Sequence, residues 1–399
     1  MMSASFRFIH CADLHLGSSF SGMSSSDAEL GERMRDSLFD ALGAIVSKAK
    51  EEKVDFVLFS GDIFDDSNET PLTRSRFADA LAEIKVPCFI SFGNHDYKRR
   101  WEKSIPFPKN AFVFPEKVAK VKFVKNKKLA AIITGASLSE QHTSEDITAS
   151  VKGSSEAFTI GVFHCNVDAA DQDDVYAPCR LSSLLEKDVD YWALGHIHKR
   201  EILHESPYVV YPGNTQGRNH KESDEKGAYL VTVKDDIVTD LEFFRTGPII
   251  WRDIELDITG KTDISEVISE IGDTEKGSIL RISITGMGQL DSLARLDPAG
   301  LTELIEARTG CKVTRIDILS RPPIDLAARK QTGDFISAVI NYGDRLETSS
   351  RQELLDMICC TTTARSLMSR FEEFTDDELR DIVRDATYMI VERMTEADE

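Results

Sequence analysis

Five short, mostly apolar or β-branched runs stand out along the chain, at residues 6–10, 55–60, 87–92, 159–163 and 190–194. Such runs predict strands buried on both faces, as in the interior of a largely parallel sheet. Between the first two, Leu30, Met34, Leu38, Leu42, Ile45 and Ala49 recur every three or four residues, which predicts an amphipathic helix. Phe77, Leu81 and Ile84 mark a second helix, beginning near Pro71, where proline suits a first helical turn. Residues 208–211, 228–233 and 241–244 read as a run of antiparallel strands separated by Pro212-Gly213-Asn214 and Asp235-Asp236. Residues 1–248 therefore predict two β-sheets with helices outside. After Gly247-Pro248 the pattern changes to β-α-β-α-β, and residues 249–325 predict a small α+β second domain. Beyond Arg321-Pro322-Pro323 everything reads as helix, so residues 326–399 predict a helical tail that packs on the second domain or docks a partner.

The ends of the five runs carry the chemistry. They read Asp13-Leu14-His15, Gly61-Asp62, Gly93-Asn94-His95-Asp96, His164 and Gly195-His196-Ile197-His198. Sites in open α/β sheets lie beyond the carboxyl ends of the strands. There Asp13, His15, Asp62, Asn94, His164, His196 and His198 can converge to hold two divalent metal ions. Asp62 is the candidate bridge. Asp13, His15 and one of the closing histidines would complete one ion, and Asn94, His164 and the other histidine the second. Mixed imidazole, carboxylate and amide donors suit manganese, iron or zinc better than calcium. Two such ions activate a water and neutralise phosphoryl oxygens, which points to a phosphoester hydrolase. His95 is the candidate catalytic residue, placed to protonate a leaving oxygen, with Asp96 to orient its ring. His10, His142, His204 and His220 read as structural, and Asp65 and Asp66 as loop acids.

Composition adds two points. The formal charge of the 399-residue chain is −20, from 48 basic and 68 acidic side chains. Yet eleven lysines and arginines fall between Tyr97 and Lys128 against Glu102 and Glu116, and the acids gather after Glu372. Lys98, Arg99 and Arg100, next to the third motif, are candidate phosphate contacts, and the acidic tail suits a protein partner better than DNA. No apolar run is long enough to predict a membrane span. The seven cysteines lack Cys-x-x-Cys spacing, and the N-terminus lacks a signal-peptide pattern. Both fit a reduced cytoplasmic protein.

The five motifs, in this order and spacing, resemble the signature of the calcineurin-like metallophosphoesterases. Residues 8–17 (Phe-Ile-His-Cys-Ala-Asp-Leu-His-Leu-Gly) and 211–218 (Tyr-Pro-Gly-Asn-Thr-Gln-Gly-Arg) are similar to SbcD-type DNA repair nucleases of the YhaO-like branch. The resemblance implies a four-layer α-β-β-α sandwich with a small cap domain and a helical tail. It also implies a manganese-dependent exo/endonuclease acting on DNA ends. By this likeness Asp13, His15, Asp62 and His198 would hold one ion, and Asp62, Asn94, His164 and His196 the other. Arg218 joins the candidate substrate contacts. The implied partner is a coiled-coil ABC-type, SbcC-like ATPase bound through the C-terminal helices, and the implied assembly a homodimer. A phosphatase or phosphodiesterase for a small molecule is the alternative on the same metal core, and a non-catalytic clamp within an ATPase complex a third.

Overall fold

Two six-stranded sheets face each other in the computed structural model, which describes residues 5–20, 28–65, 68–98, 100–168, 176–358, 361, 371 and 374–396. In the first sheet β1 (Phe6–Cys11), β2 (Phe56–Ser60), β3 (Cys88–Ser91) and β4 (Ala111–Val113) run parallel. On the far side of β1, β13 (Gly227–Lys234) and β14 (Ile237–Arg245) add antiparallel strands. In the second sheet β6 (Lys128–Gly135), β7 (Phe158–His164), β10 (Tyr191–Gly195) and β12 (Tyr208–Tyr211) run parallel. Antiparallel β5 (Ala119–Lys125) and β11 (Glu201–Glu205) form its edges. A short ladder pairs β8 (Asn166–Val167) with β9 (Pro178–Cys179).

One expectation fails here. The segment 208–211 is not antiparallel to the strands that follow it; it joins the other sheet, parallel to β10. The cause is β11, a polar and largely exposed strand that turns the chain back at the sheet edge and carries too few apolar residues to announce itself.

Strand alternation explains the layering. Phe6 and Phe8 of β1, with Phe56 and Leu58 of β2, face Ile160 and Val162 of β7 and Ala193 of β10 across the middle of the molecule. Ile9, Cys11, Val57 and Phe59 point the other way, onto α1 (Ala28–Glu51) and α2 (Pro71–Ile84) through Leu38, Leu42, Ile45, Phe77 and Leu81. Each fully buried phenylalanine contributes about 1.5–3 kcal/mol. The Thr70 hydroxyl accepts a hydrogen bond from the amide of Thr73 at the start of α2, and Pro71 sits at its first turn. The outer face of the second sheet, with Phe163, Trp192, Leu194 and Tyr211, lies under Leu138, Val151 and Leu184 of α3 (Leu181–Leu185) and its neighbouring loops. The result is the expected layered α/β sandwich.

The chain divides into two compact units. The first is residues 1–254, 273–281 and 309–315; the second is residues 255–272, 282–308 and 316–399. A three-stranded sheet, in the order β15 (Trp251–Asp257), β16 (Ile279–Thr285), β17 (Lys312–Ile318), has strands that fall partly in each. In the second unit lie α4 (Ile264–Ser269), α5 (Leu290–Leu296) and most of α6 (Pro298–Thr309), then the tail helices α7 (Leu326–Arg329), α8 (Phe335–Glu347), α9 (Arg351–Ile358) and α10 (Asp376–Glu396). The tail builds small cores of its own: Ile336 and Ile340 with Val391, and Leu354 and Leu355 with Leu379 and Val383. Among the described residues no helix is long and apolar enough to cross a membrane.

Candidate metal centre

The strand-end motifs meet at one end of the sandwich because their loops are zipped together. The amide of Asp13 donates to the Gly61 carbonyl at 3.0 Å and that of His15 to the Asp62 carbonyl at 2.9 Å. These loops are strained: Asp13, His15, Asp62 and His196 have φ of 53°, 47°, 48° and 103°. Left-handed backbone at a non-glycine residue costs about 1–3 kcal/mol, and it persists where surrounding contacts over-determine it. Two motif glycines are required by close approach. A Cβ on Gly61 would lie in the His164 ring, and one on Gly93 would overlap the Asp62 carboxylate.

Asp62 is the hub. One of its oxygens, Oδ1, accepts the His95 amide at 2.9 Å. The other, Oδ2, faces His164 Nε2 at 3.3 Å, His15 Nε2 at 3.8 Å and His95 Nε2 at 4.0 Å. Asp13 is oriented by the His196 amide, 3.0 and 3.2 Å from its two oxygens. Among the described residues, three sets of side chains bring ligand atoms close enough together to hold an ion: Asp13 with His15 and His198, Asp13 with Asp62 and His164, and His15 with Asp62 and His95.

Hydrogen bonds settle which ring nitrogens face the site. A carbonyl only accepts, so His164 Nδ1, 3.0 Å from the Ser60 carbonyl, carries the proton and presents Nε2 inward, 2.9 Å from Asn94 Oδ1. Likewise His198 Nδ1 donates to Glu222 Oε1 at 2.7 Å, and its Nε2 stands 3.0 Å from His15 Nε2. Two donors each about 2.1 Å from a shared cation, at right angles, are about 3 Å apart. That spacing occurs on both sides of Asp62, so the residues present fit a pair of divalent ions. His196 belongs to none of the three sets, but its ring stands beside that of His164, centroids 5.2 Å apart.

The electrostatics are those of a site built for cations. Burial, reinforced by Arg218, lowers His15 to about 3, and burial with the charge of His164 lowers His196 to about 3. Both rings are thus neutral and free to donate lone pairs. Burial opposes charge at His164 too, but Asp62 and Asp13 outweigh it and raise that ring to about 9. Burial would likewise raise Asp62, yet the surrounding imidazoles hold its carboxyl far below the usual range.

Other expectations meet the structure differently. Asp96 does not orient the ring of His95. Its carboxylate accepts the amides of Ile63, Phe64 and Gly93 at 3.0, 2.8 and 3.0 Å, tying the second motif loop to the third. Asp65 is more than a loop acid: its Oδ1 lies 3.4 Å from His15 Nδ1, 4.0 Å from His95 Nδ1 and 3.5 Å from Arg218 Nη1. Lys98 and Arg100 are exposed on the loop after Asp96, and Arg99 lies outside the described residues, as does Asp66. Arg218 is present at the site, with its guanidinium between Asp65 and Glu222.

The basic run divides. Lys120, Lys122, Lys125 and Lys128 lie on the β5–β6 hairpin, and Lys125 pairs with Asp55, at the start of β2, at 2.8 Å. Lys125 and Lys128 lie at the end of the sandwich opposite the motifs, whereas Lys120 is opposite Thr134, near the carboxyl end of β6. His10 is structural as expected, bonded to Tyr191 and the Leu194 carbonyl between the sheets. Sequence reasoning gave no role to Asn214, inside the 211–218 string, or to Glu222, four residues beyond it.

This fold and this constellation of aspartates, histidines and an asparagine define a dimetal phosphoester hydrolase. The chain belongs to the calcineurin-like phosphoesterase family, whose pattern matches residues 6–200. It is 34% identical over 318 residues to the uncharacterized metallophosphoesterase YhaO of Bacillus subtilis, covering 77% of this chain and 78% of that protein. It is also 32% identical over 105 residues to the DNA double-strand break repair protein Mre11 of Methanococcus maripaludis, covering 25% and 26% of the two chains. Among solved structures, a dimetal phosphatase from Danio rerio is 14% identical with a TM-score of 0.38, over 60% of this chain and 96% of that one.

Proposed function

We propose that this chain is a two-metal DNA nuclease, hydrolysing phosphodiester bonds at DNA ends with manganese as its ion. The observation that carries the hydrolytic part is Asp62 Oδ2, set between His164 Nε2 at 3.3 Å and His15 Nε2 at 3.8 Å, with Asn94 Oδ1 beyond the one and His198 Nε2 beyond the other. The nuclease part draws support from the partial likeness to Mre11, a DNA double-strand break repair protein by name. In this reading Asp13, His15, Asp62 and His198 hold one ion, and Asp62, Asn94, His164 and His196 the other. When bound, such ions supply a nucleophile at neutral pH and charge neutralisation for a phosphoryl group.

The chain's own residues supply the rest. Asp62 draws both halves of the site onto one carboxylate. His95, half-buried at the rim, has its Nε2 4.0 Å from Asp62 Oδ2 and delivers a proton to the leaving oxygen. Lys98, Arg99 and Arg100 follow it in the sequence and meet the flanking phosphates. The helices of residues 326–399 dock a coiled-coil ABC-type ATPase, and the nuclease works as a homodimer in the cytoplasm.

A second reading keeps the metal core but gives it a small phosphodiester or phosphomonoester. What favours it is the position of Lys125 and Lys128 of the β5–β6 hairpin at the far end of the sandwich, where they give a polymeric substrate at the site no guidance. End-labelled linear duplex DNA in manganese, with an His95→Ala control, separates the two. Metal-dependent shortening lost in the variant is the expected result. Intact DNA alongside hydrolysis of bis-p-nitrophenyl phosphate would overturn the nuclease reading.

A further inference from the structure

Both imidazoles of one half of the site, His15 and His198, are backed by carboxylates, and one arginine joins those carboxylates. His198 Nδ1 donates to Glu222 Oε1 at 2.7 Å. Glu222 Oε2 accepts Asn214 Nδ2 and the Arg218 amide, each at 2.8 Å, so the carboxylate is fixed from both sides. The Arg218 guanidinium lies 3.5 Å from Glu222 through Nη2 and 3.5 Å from Asp65 through Nη1. Asp65 Oδ1 in turn faces His15 Nδ1 at 3.4 Å. The circuit closes where His15 Nε2 and His198 Nε2 stand 3.0 Å apart.

We propose that Glu222 and Arg218 are positioning residues for this half of the metal centre alone: Glu222 fixes the tautomer and angle of His198, and Arg218 locks Glu222 to Asp65 behind His15. This rests on the metal-centre reading above. The physical reason is that a histidine offers a lone pair at Nε2 only while Nδ1 keeps the proton, and a buried carboxylate on Nδ1 enforces that choice. Glu222 is buried, so its charge is held by specific bonds rather than by water. Arg218 has both terminal nitrogens turned to carboxylates, and Nη1 also reaches Ser18 Oγ at 3.5 Å, so its guanidinium faces the acids behind the histidines. On the other half, His164 takes its orientation from the Ser60 carbonyl, a main-chain group that no side-chain change removes.

The asymmetry is testable without turnover. Metal-stripped full-length protein is titrated with manganese alone by calorimetry, and the His198 tautomer is read by nitrogen-15 NMR. For wild type, two binding equivalents are expected. Glu222→Gln is expected to weaken one of them by about 10–100-fold and leave the other unchanged, with the His198 Nδ1–H resonance lost or shifted. Arg218→Gln, which leaves the Glu222 bonds to Asn214 and His198 in place, gives a smaller loss at the same equivalent and carries the test should Glu222→Gln not fold. Equal weakening of both equivalents, or unchanged affinity in both variants, overturns the proposal. So does an Arg218→Gln protein with a raised KM for bis-p-nitrophenyl phosphate and unaltered manganese binding, since that marks a substrate contact. If wild type binds no manganese while its fold is intact, the metal-centre reading falls first and takes the proposal with it.

Discussion

Asp96 offers the sharpest contrast between a catalytic and an architectural role. Its carboxylate takes three buried main-chain amides, from Ile63, Phe64 and Gly93, and the residue is 5% exposed. Asp96→Ala leaves three donors without partners. An orphaned buried donor costs about 1–3 kcal/mol, and the low end applies where water re-enters the vacated space. A loss of about 3–5 kcal/mol is therefore expected, allowing for non-additivity among neighbours. For a domain of this size each kcal/mol moves the melting temperature by about 2–4 °C, so calorimetry should show a fall of about 10 °C. Asp96→Asn keeps one oxygen, enough for Ile63 and Gly93, but turns an NH2 group toward the Phe64 amide. Its loss should be about 1–3 kcal/mol. Thermal denaturation of wild type and both variants is the assay, with His95→Ala as a control of near-native stability. If Asp96→Ala melts within about 1 kcal/mol of wild type yet loses hydrolysis, the residue acts on the His95 ring and the architectural reading is refuted.

Three other outcomes are expected. Gly93→Ala pushes a methyl into the Asp62 carboxylate; hydrolysis should fall by at least about 100-fold, the usual cost of displacing a reacting group by an ångström, and unimpaired turnover would contradict the geometry. Because Asp62 and Asp13 raise His164 to about 9 in the metal-free protein, an incoming cation must displace a proton below that pH. Manganese affinity should thus climb as pH rises from 6.5 and level off above about 9, with proton release measurable by calorimetry in buffers of different ionisation enthalpy; affinity that is flat or falls with pH would contradict it. Charge reversal of Lys127 and Lys128, exposed at the turn of the β5–β6 hairpin at the far end, should leave DNA cleavage unchanged in a gel assay, and a strong loss would place substrate on that edge.

Much of the site was legible because its chemistry sits at strand ends. Runs such as 55–60 and 159–163 declare buried strands by hydrophobicity alone, and parallel strands deliver their carboxyl ends to one edge. Asp13, Asp62 and His164 therefore share a site although 151 residues separate the first from the last. What spacing conveys poorly is the partner of a side chain. Glu222 serves His198 from 24 residues away, with β11 and β12 between them in the chain, and spacing alone does not pair the two. Asp96 looks like a partner for the adjacent His95, but its short side chain reaches back to the turn after β2 instead. A charge run shows sign and not direction: β5, antiparallel to β6, spreads its lysines from Lys120 near the carboxyl end of β6 to Lys125 at the far end. Strand β11 escaped for the opposite reason, since an exposed edge needs few apolar residues.

The most direct measurement of the central claim is hydrolysis of bis-p-nitrophenyl phosphate by metal-stripped protein as manganese is restored, beside an Asp62→Asn variant shown by circular dichroism to be folded. A dimetal phosphoester hydrolase centred on Asp62 is expected to be silent without metal, to regain activity as two equivalents bind, and to stay silent in the variant. Metal-independent hydrolysis by the wild type, or full activity in Asp62→Asn, would contradict it.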